Sequence, residues 1–258
     1  MSRRSGIIAL QRLGVLVVLL AAWQLMSGRV VDDFFVSRPT DIASTWWGWL
    51  TGGELATATW STLSAAALGF AAGAVLAVAV GYVLGSSPRL AVVVEPFITA
   101  VYSLPKVALV PLFIMWFGIG KPLQVISAAF ITFFLMFYNT FFGIRDVDAA
   151  LVDAIRVMGG TRRDVALRVR LPSALVWVSA GLKISVPQAL IGVVVAEMLA
   201  SDQGLGYLVQ HNASQFNAAG TFAALATLLV IGLAVDRLVG LATRRALLWK
   251  NIDKGGAP

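Results

Sequence analysis

The stretch WSTLSAAALGFAAGAVLAVAVGYVL, residues 60–84, is 25 residues long and contains no charged side chain. At about 1.5 Å per residue, an α-helix of this length crosses the roughly 30 Å of hydrocarbon in a bilayer. Gly69 and Gly73 are four residues apart, as are Gly81 and Gly85, and this spacing lets a second helix backbone approach closely. We therefore expect a membrane-spanning helix at the centre of a helical bundle.

Five further stretches are long and apolar enough to cross a membrane: residues 7–26, 91–117, 122–143, 174–199 and 218–235. The first follows basic residues, as in a signal peptide, but no clear A-x-A-like cleavage site comes after it, so we expect a retained helix. The short alternating strands of a transmembrane barrel are not seen. The sequence predicts an all-α membrane protein with six transmembrane helices in a single transmembrane domain over residues 1–258.

The composition agrees with a chain surrounded by membrane lipid. Of the 258 residues, 59% are hydrophobic and 13% charged, and the mean hydropathy is +0.84. The absence of cysteine excludes disulfides, thiolate metal sites and cysteine nucleophiles. The net charge of +7 is scattered between apolar stretches rather than gathered in a strip, so no nucleic-acid partner is expected.

The basic residues predict the orientation. With the N-terminus in the cytoplasm, only Arg29, Arg38 and Lys121 lie outside. Six crossings return the C-terminus to the cytoplasm, and we expect a multi-pass protein of the cytoplasmic membrane. The basic residues then on the cytoplasmic side are Arg3, Arg4, Arg12, Arg89, Arg145, Arg156, Arg162, Arg163, Arg168, Arg170, Arg237, Arg244, Arg245, Lys250 and Lys254.

Two other segments carry information about the bundle. Prolines 96, 105 and 111 interrupt the third span, and irregular backbone at membrane depth is tolerated only against protein or a water-filled cavity, so this span is a candidate wall of a pathway. The outward segment 27–59 holds Trp46, Trp47 and Trp49, which we interpret as an interfacial aromatic belt on an amphipathic turn.

The longest cytoplasmic connection, residues 144–172, contains two short helices. Asp148 is a helix-capping residue, Gly159 and Gly160 end the first helix, and Thr161 with Asp164 has the spacing of a capping box that opens the second. We expect Leu171 and Pro172 to close the second helix. One face of the first helix is apolar: Leu151, Ala154, Ile155 and Met158. This face must be covered either by a partner protein or by the membrane surface.

This connection resembles the EAA loop of ABC import permeases. The resemblance rests on Asp153-Ala154, Gly159, Val169 and Leu171-Pro172, with Asp153 in place of glutamate and Ile155 in place of the second alanine. In that family the loop forms a coupling helix that sits in a cleft of the cytoplasmic ATPase. The resemblance implies an ATPase-coupling role for Asp153, Ala154, Ile155, Met158, Gly159, Gly160, Leu171 and Pro172.

Residues 104–120 and 195–208 are similar to the sulfonate, taurine and nitrate permeases of the same family. The resemblance implies a five-helix import-permease core with one extra N-terminal helix. It also implies alternating access in a permease homodimer, with two ABC ATPase subunits beneath it and an extracytoplasmic solute-binding protein outside. ATP and Mg²⁺ would bind the ATPase partner, so we expect no cofactor in this chain and no enzymatic activity of its own.

Charged side chains at membrane depth are costly and therefore candidates for function. Glu95, Lys106, Lys183 and Glu197 qualify, although pairing between them or snorkelling to the interface is the alternative. A lysine in the pathway would compensate the charge of an anionic solute. The candidate pathway residues are Tyr102, Ser103, Lys106, Asn139, Lys183, Gln188 and Glu197.

Two other classes of membrane protein compete with this interpretation. A secondary transporter or channel predicts inverted repeats and an ion relay, and neither is evident in the sequence. An intramembrane protease needs a catalytic histidine or a zinc motif at membrane depth, whereas the single histidine, His211, lies in an outer loop without companions at ligand spacing, so no metal site is expected. Neither Gly118-Ile119-Gly120-Lys121 nor Gly204-Leu205-Gly206 completes a nucleotide-binding loop.

Overall fold

A computed structural model describes residues 2–30 and 32–246, and its regular elements are helical. Residues Lys106–Leu109 form a 3₁₀ turn, and residues Ala166–Arg170 form a π-helical segment. The α-helices over these residues are α1 (Ser2–Met26), α2 (Asp33–Val36), α3 (Pro39–Gly52), α4 (Glu54–Ser86), α5 (Pro88–Tyr102), α6 (Val110–Phe117), α7 (Lys121–Arg145), α8 (Ala149–Val157), α9 (Arg162–Val165), α10 (Leu171–Ala200), α11 (Leu205–Ser214) and α12 (Ala218–Ala246).

Four helices in the described residues are long and apolar enough to cross a membrane: α4, α7, the continuous helix Arg162–Ala200, and α12. Helix α5 and residues Lys106–Phe117 meet the same criteria of length and apolarity only when taken together, as a broken span or a re-entrant loop. The apolar part of α1, Leu10–Met26, is shorter. The predicted all-α, multi-spanning architecture is confirmed, whereas six crossings and two cytoplasmic termini stay predictions. Lys250 and Lys254, which support the C-terminal placement, lie outside the described residues.

Helix α4 packs directly against α7 through its glycines, as the spacing predicts. A Cβ atom at Gly69 would overlap the carbonyl oxygen of Val125, and one at Gly73 would overlap that of Ala129. Gly81 and Gly85 face Thr140 and Ile144 further along α7 in the same way. On its other side α7 packs against α10, where a Cβ atom at Gly192 would meet the side chain of Ile131. Helix α7, and not α4 as the sequence predicted, is therefore the central helix of the bundle.

The third predicted span is broken, with its two halves bent by 83°. Pro105 lies at the break, immediately before the 3₁₀ turn, and has no backbone N–H to continue the α-helical hydrogen bonds. The residue before a proline is also driven out of the α-helical region, which ends α5 at Tyr102 and leaves Ser103 and Leu104 in a turn. Pro111 lies in the first turn of α6, where a missing N–H costs nothing.

The prediction that Leu171 and Pro172 close the second cytoplasmic helix is wrong. One helix of 39 residues runs from Arg162 through both of them to Ala200. The helix can continue because Pro172 follows a π-helical segment. The altered hydrogen-bond register of such a segment removes the need for the N–H that proline lacks. Helix α10 is therefore continuous with the end of the connection 144–172.

The segment 27–59, predicted as an amphipathic turn, contains a regular helix. The tryptophans lie on α3, and α4 begins at Glu54. Trp46 donates a hydrogen bond from Nε1 to Oγ1 of Thr227 on α12 at 3.0 Å, and Trp49 packs on the cluster formed by α4, α11 and α12. Trp47 is 61% exposed. Two of the three tryptophans therefore belong to the packed bundle, and only Trp47 is placed like a belt residue.

Candidate functional site

The short helix α8 begins and ends where its sequence predicts. Asp148 caps it by accepting a hydrogen bond from the N–H of Ala150 at 2.8 Å. At the other end Gly159 adopts a positive φ of 80°, and the N–H of Gly160 donates to the carbonyl of Ile155 at 2.9 Å. Gly160 also lies so close to Ile155 that a Cβ atom would overlap its side chain. Both glycines are therefore required by the geometry of this turn.

Helix α8 presents apolar side chains that nothing in the described residues covers. Val157 is 88% exposed, Met158 74% and Leu151 53%, whereas Ile155 is half-buried against the turn. Exposed apolar residues grouped at one end of a membrane protein indicate a binding surface for a partner or for lipid. We call Leu151, Val157 and Met158 the α8 apolar surface.

The second short helix, α9, opens with the predicted capping box. Asp164 accepts hydrogen bonds from the backbone N–H of Thr161 at 2.9 Å and from its hydroxyl at 2.6 Å, while Thr161 Oγ1 accepts from the N–H of Asp164 at 3.3 Å. The hydroxyl of Thr161, followed by its N–H, lowers the pKa of Asp164 below the ordinary value. The carboxylate form is therefore the one that holds this turn together.

The residues predicted to couple to an ATPase lie on two sides of α8. A groove of about 430 Å³ separates α8 from the base of α10, and Ala154, Ile155, Met158 and Pro172 line it. Leu171 is exposed beside it. Asp153 points to the opposite side, where it forms an exposed ion pair with Arg156 at 3.3 Å. The predicted set is thus brought together around one short helix, with its charged member facing away from the apolar groove.

At the break of the third span, Lys106 lies beside two aromatic rings. Its ammonium group donates to the carbonyl of Tyr102 at 2.9 Å and lies 4.6 Å from the centre of the Tyr102 ring, which stacks on Tyr138 of α7 at 4.3 Å. Among the described residues, no carboxylate lies within ion-pair distance of Lys106. Ser103 is exposed in the adjoining turn. Lys106, Tyr102 and Ser103 therefore form one polar group at the break between α5 and α6.

The other candidate pathway residues are dispersed. Asn139 donates within its own helix to the carbonyl of Leu135 at 2.8 Å. Lys183 and Gln188 are exposed on α10, and Lys183 lines a groove together with Asp236 and Arg237 of α12. Only the group around Lys106 thus combines several of the predicted residues.

Glu197 is 1% exposed, and its carboxylate is held at a junction of three helices. Its oxygens accept hydrogen bonds from Thr62 Oγ1 on α4 and from the N–H of Gly206 on α11, each at 2.9 Å. Gly204, just before α11, has a φ of 105° and lies so close to the carboxylate that a Cβ atom would overlap it. In this conformation Glu197 joins the helices together and does not line an open surface.

Sequence reasoning did not single out Thr62. Its hydroxyl also accepts the N–H of Leu205 at 2.9 Å, so it links α4 to the start of α11. A threonine within an apolar span does not indicate, from the sequence alone, that it contacts a residue 135 positions further along the chain. The fourth predicted membrane charge, Glu95, is paired with Arg145 at the end of α7.

The sequence is similar to a known family of membrane proteins and to several of its members. Residues 69–247 match the family described as binding-protein-dependent transport system inner membrane component. A putative aliphatic sulfonates transport permease of Bacillus subtilis (strain 168) is 34% identical over 92% of this chain and 87% of its own length. The riboflavin transport system permease of Chloroflexus aurantiacus is also 34% identical, over 91% of this chain and 88% of its own. A formylaminopyrimidine transport permease of Halalkalibacterium halodurans is 30% identical, over 74% and 76%.

Solved structures share the fold at lower sequence identity. An inward-facing MetNI methionine ABC transporter superposes with a TM-score of 0.60 at 18% identity, over 72% of this chain and 93% of the matched one. An amino acid ABC transporter crystallised with histidines gives a TM-score of 0.61 at 17% identity, over 76% and 95%. With its multi-spanning bundle, the chain belongs to the binding-protein-dependent transport system inner membrane components, the permease subunits of ABC importers of the cytoplasmic membrane.

Proposed function

We propose that this chain moves a small solute into the cell by alternating access, driven by a separate ATPase that docks on α8. The single observation that carries the coupling role is the α8 apolar surface. It is exposed on a helix whose two ends are fixed by Asp148 and Gly159. A helix with fixed ends and uncovered apolar side chains offers a preformed docking surface, and the family to which the chain belongs depends on partner proteins.

An aliphatic sulfonate is the first solute to test. The relative named for sulfonates is 34% identical over 92% of this chain, and the resemblance of residues 104–120 points the same way. The relatives named for riboflavin and formylaminopyrimidine make those two solutes the necessary comparisons. Taurine and nitrate follow from the same resemblance as the sulfonates.

We propose further that two copies of the chain form the transport unit, with two ATPase subunits beneath and a solute-binding protein outside. Exposed Lys183 and Gln188 on α10 support this proposal, because lipid does not accommodate such groups cheaply and a second copy or an aqueous pathway would. Alternating access then requires that closure of the ATPases moves the two copies relative to each other.

The test is reconstitution of the chain with its ATPase and solute-binding protein in liposomes. We expect ATP-driven uptake of a sulfonate, and we expect Val157→Asp to abolish both copurification of the ATPase and uptake. A charge at a position 88% exposed leaves the fold of the chain intact while placing an unpaired carboxylate in the docking surface. Val157→Thr, of the same shape, is the matched control. Wild-type copurification and uptake with Val157→Asp would contradict docking on α8.

A further inference from the structure

A second cavity, on the side of α8 away from the apolar groove, is lined by three arginines. It measures about 360 Å³ and lies between α8 and the ends of α4, α5 and α7. The arginines come from three different elements: Arg145 ends α7, Arg156 is on α8, and Arg170 ends the π-helical segment. Three arginines that line one cavity give it a positive electrostatic potential. A structural role for one of them would not explain why all three lie there.

The hydrogen bonds of these arginines leave most of their donors free. Arg145 pairs with Glu95 of α5, Arg156 pairs with Asp153 at 3.3 Å, and Arg170 donates to the carbonyl of Ser86 at 3.1 Å. Each contact occupies one N–H among the described residues, whereas a guanidinium has five. The three arginines and the two carboxylates together carry a net charge of about +1. The cavity is thus rich in unused donors and positively charged.

Two further features describe the group that would fit. The hydroxyl of Ser86, which also lines the cavity, is buried without a hydrogen-bond partner in the described residues. Pro88 and Val92 of α5 form an apolar side of the cavity, and Val92 is 66% exposed. A compact anion with several acceptor oxygens would accept hydrogen bonds from these free N–H and O–H groups. A hydrocarbon chain attached to the anion could extend along α5.

We propose that this cavity binds a phosphate group, supplied by an anionic phospholipid headgroup or by free phosphate, and that the bound anion joins α8 to the bundle. Arg156 moves with α8, whereas Arg145 is fixed to α7 and Arg170 to the end of α4 through Ser86. An anion held between them links the helix proposed to dock the ATPase to the membrane-embedded helices. Basic cavities between transmembrane helices at the cytoplasmic side are typical sites for lipid phosphates.

The experiment uses the purified full chain, without an ATPase, in detergent and in lipid nanodiscs. Native mass spectrometry compares retention of phosphatidylglycerol with that of phosphatidylcholine, and a titration with inorganic phosphate tests the free anion. Arg156→Gln and Arg170→Gln should each weaken binding of the preferred probe about fivefold. Arg163→Gln is the matched control, because Arg163 lies exposed on α9 and does not line the cavity.

A second measurement does not depend on the stability of the variants. Hydrogen exchange of the amides of α8 should slow when the wild-type chain receives the probe it prefers, because the anion restrains the helix. Preference for phosphatidylglycerol assigns the site to lipid, and equal protection by inorganic phosphate assigns it to the free ion. Unchanged exchange of α8 with both probes, or binding by both arginine variants at wild-type strength, would overturn the proposal. Neither result would contradict the proposed transport function, which is tested separately by the uptake assay.

Discussion

Thr62 of α4 and Glu197 of α10 are 135 residues apart in the chain and meet in a buried hydrogen bond of 2.9 Å. The same threonine accepts the N–H of Leu205, and the same carboxylate accepts the N–H of Gly206. The first turn of α11 is therefore held by one side chain from each of two membrane-spanning helices. The junction leaves none of these four groups without a partner, which is what burial requires.

Removing the hydroxyl of Thr62 should destabilise the chain. In Thr62→Val the carboxylate of Glu197 and the N–H of Leu205 both lose a buried partner, and we expect the free energy of unfolding to fall by about 1–3 kcal/mol. Thermal unfolding of the purified chain in detergent measures this. Glu197→Gln should unfold close to the wild type, since an amide can still accept from Gly206 and donate to Thr62. Equal unfolding temperatures for Thr62→Val and wild type would contradict the junction.

The close packing of α4 on α7 can be tested by comparing a glycine at this contact with a glycine that has free space around it. A methyl group at Gly73 would overlap the backbone of Ala129, so Gly73→Ala should force α4 and α7 apart and cost about 1–3 kcal/mol. Gly232 of α12 has no atom within 4 Å of its would-be Cβ position, and Gly232→Ala is the control that should be neutral or mildly stabilising. Thermal unfolding distinguishes them. Similar losses at both positions would show that close packing of α4 on α7 is not the cause.

Parts of this architecture could be predicted from local sequence because the physics is local. The caps of α8 and α9, and the close approach of α4 to another helix, each depend on residues within one or two turns. The continuation of the helix through Pro172 could not, because it depends on a change of hydrogen-bond register over five residues. The position of Glu197 could not either, because its partners are distant in sequence and a single sequence contains no record of which segments meet.

The conformation of Gly159 provides a test of the turn after α8. Its φ of 80° lies in the region that β-branched residues avoid, at about 1–2 kcal/mol, whereas asparagine enters it more readily. We expect Gly159→Val to reduce ATP-driven uptake strongly by displacing the end of α8, and Gly159→Asn to retain most of it. Uptake in the reconstituted transporter is the measurement. Full uptake with valine would mean that the shape of this turn is not needed for coupling.

The charge of Lys106 can be separated from its hydrogen bond. Lys106→Gln keeps an N–H donor for the carbonyl of Tyr102 but removes the cation, and we expect the KM for a sulfonate to rise about tenfold, as loss of a charge-assisted hydrogen bond would cause. Uptake of a neutral solute such as riboflavin, where it is transported, should not change. Lys106→Arg is the control that preserves the charge. An unchanged KM for the sulfonate with Lys106→Gln would exclude Lys106 from the pathway.

The capping box predicts a pH dependence with a definite sign. Because the hydroxyl and the N–H of Thr161 lower the pKa of Asp164, its contribution to the stability of α9 is complete above the pKa of the unfolded chain. That contribution is lost as the pH falls through the lower pKa of the folded chain. In Thr161→Ala the carboxyl should titrate at a higher pH than in the wild type, and in Thr161→Ser it should not. Carboxyl carbon NMR of the labelled chain measures both midpoints.

The helix from Arg162 to Ala200 contains 39 residues, so it extends about 58 Å. Its first residue follows the turn that ends α8, and Glu197 lies three residues before its last. No loop interrupts the helix between its two ends, so a tilt at Arg162 would displace the other end, where Glu197 holds α11, in the opposite direction. With an ATPase docked on α8 as proposed, one continuous helix would carry the displacement of α8 to the junction around Glu197.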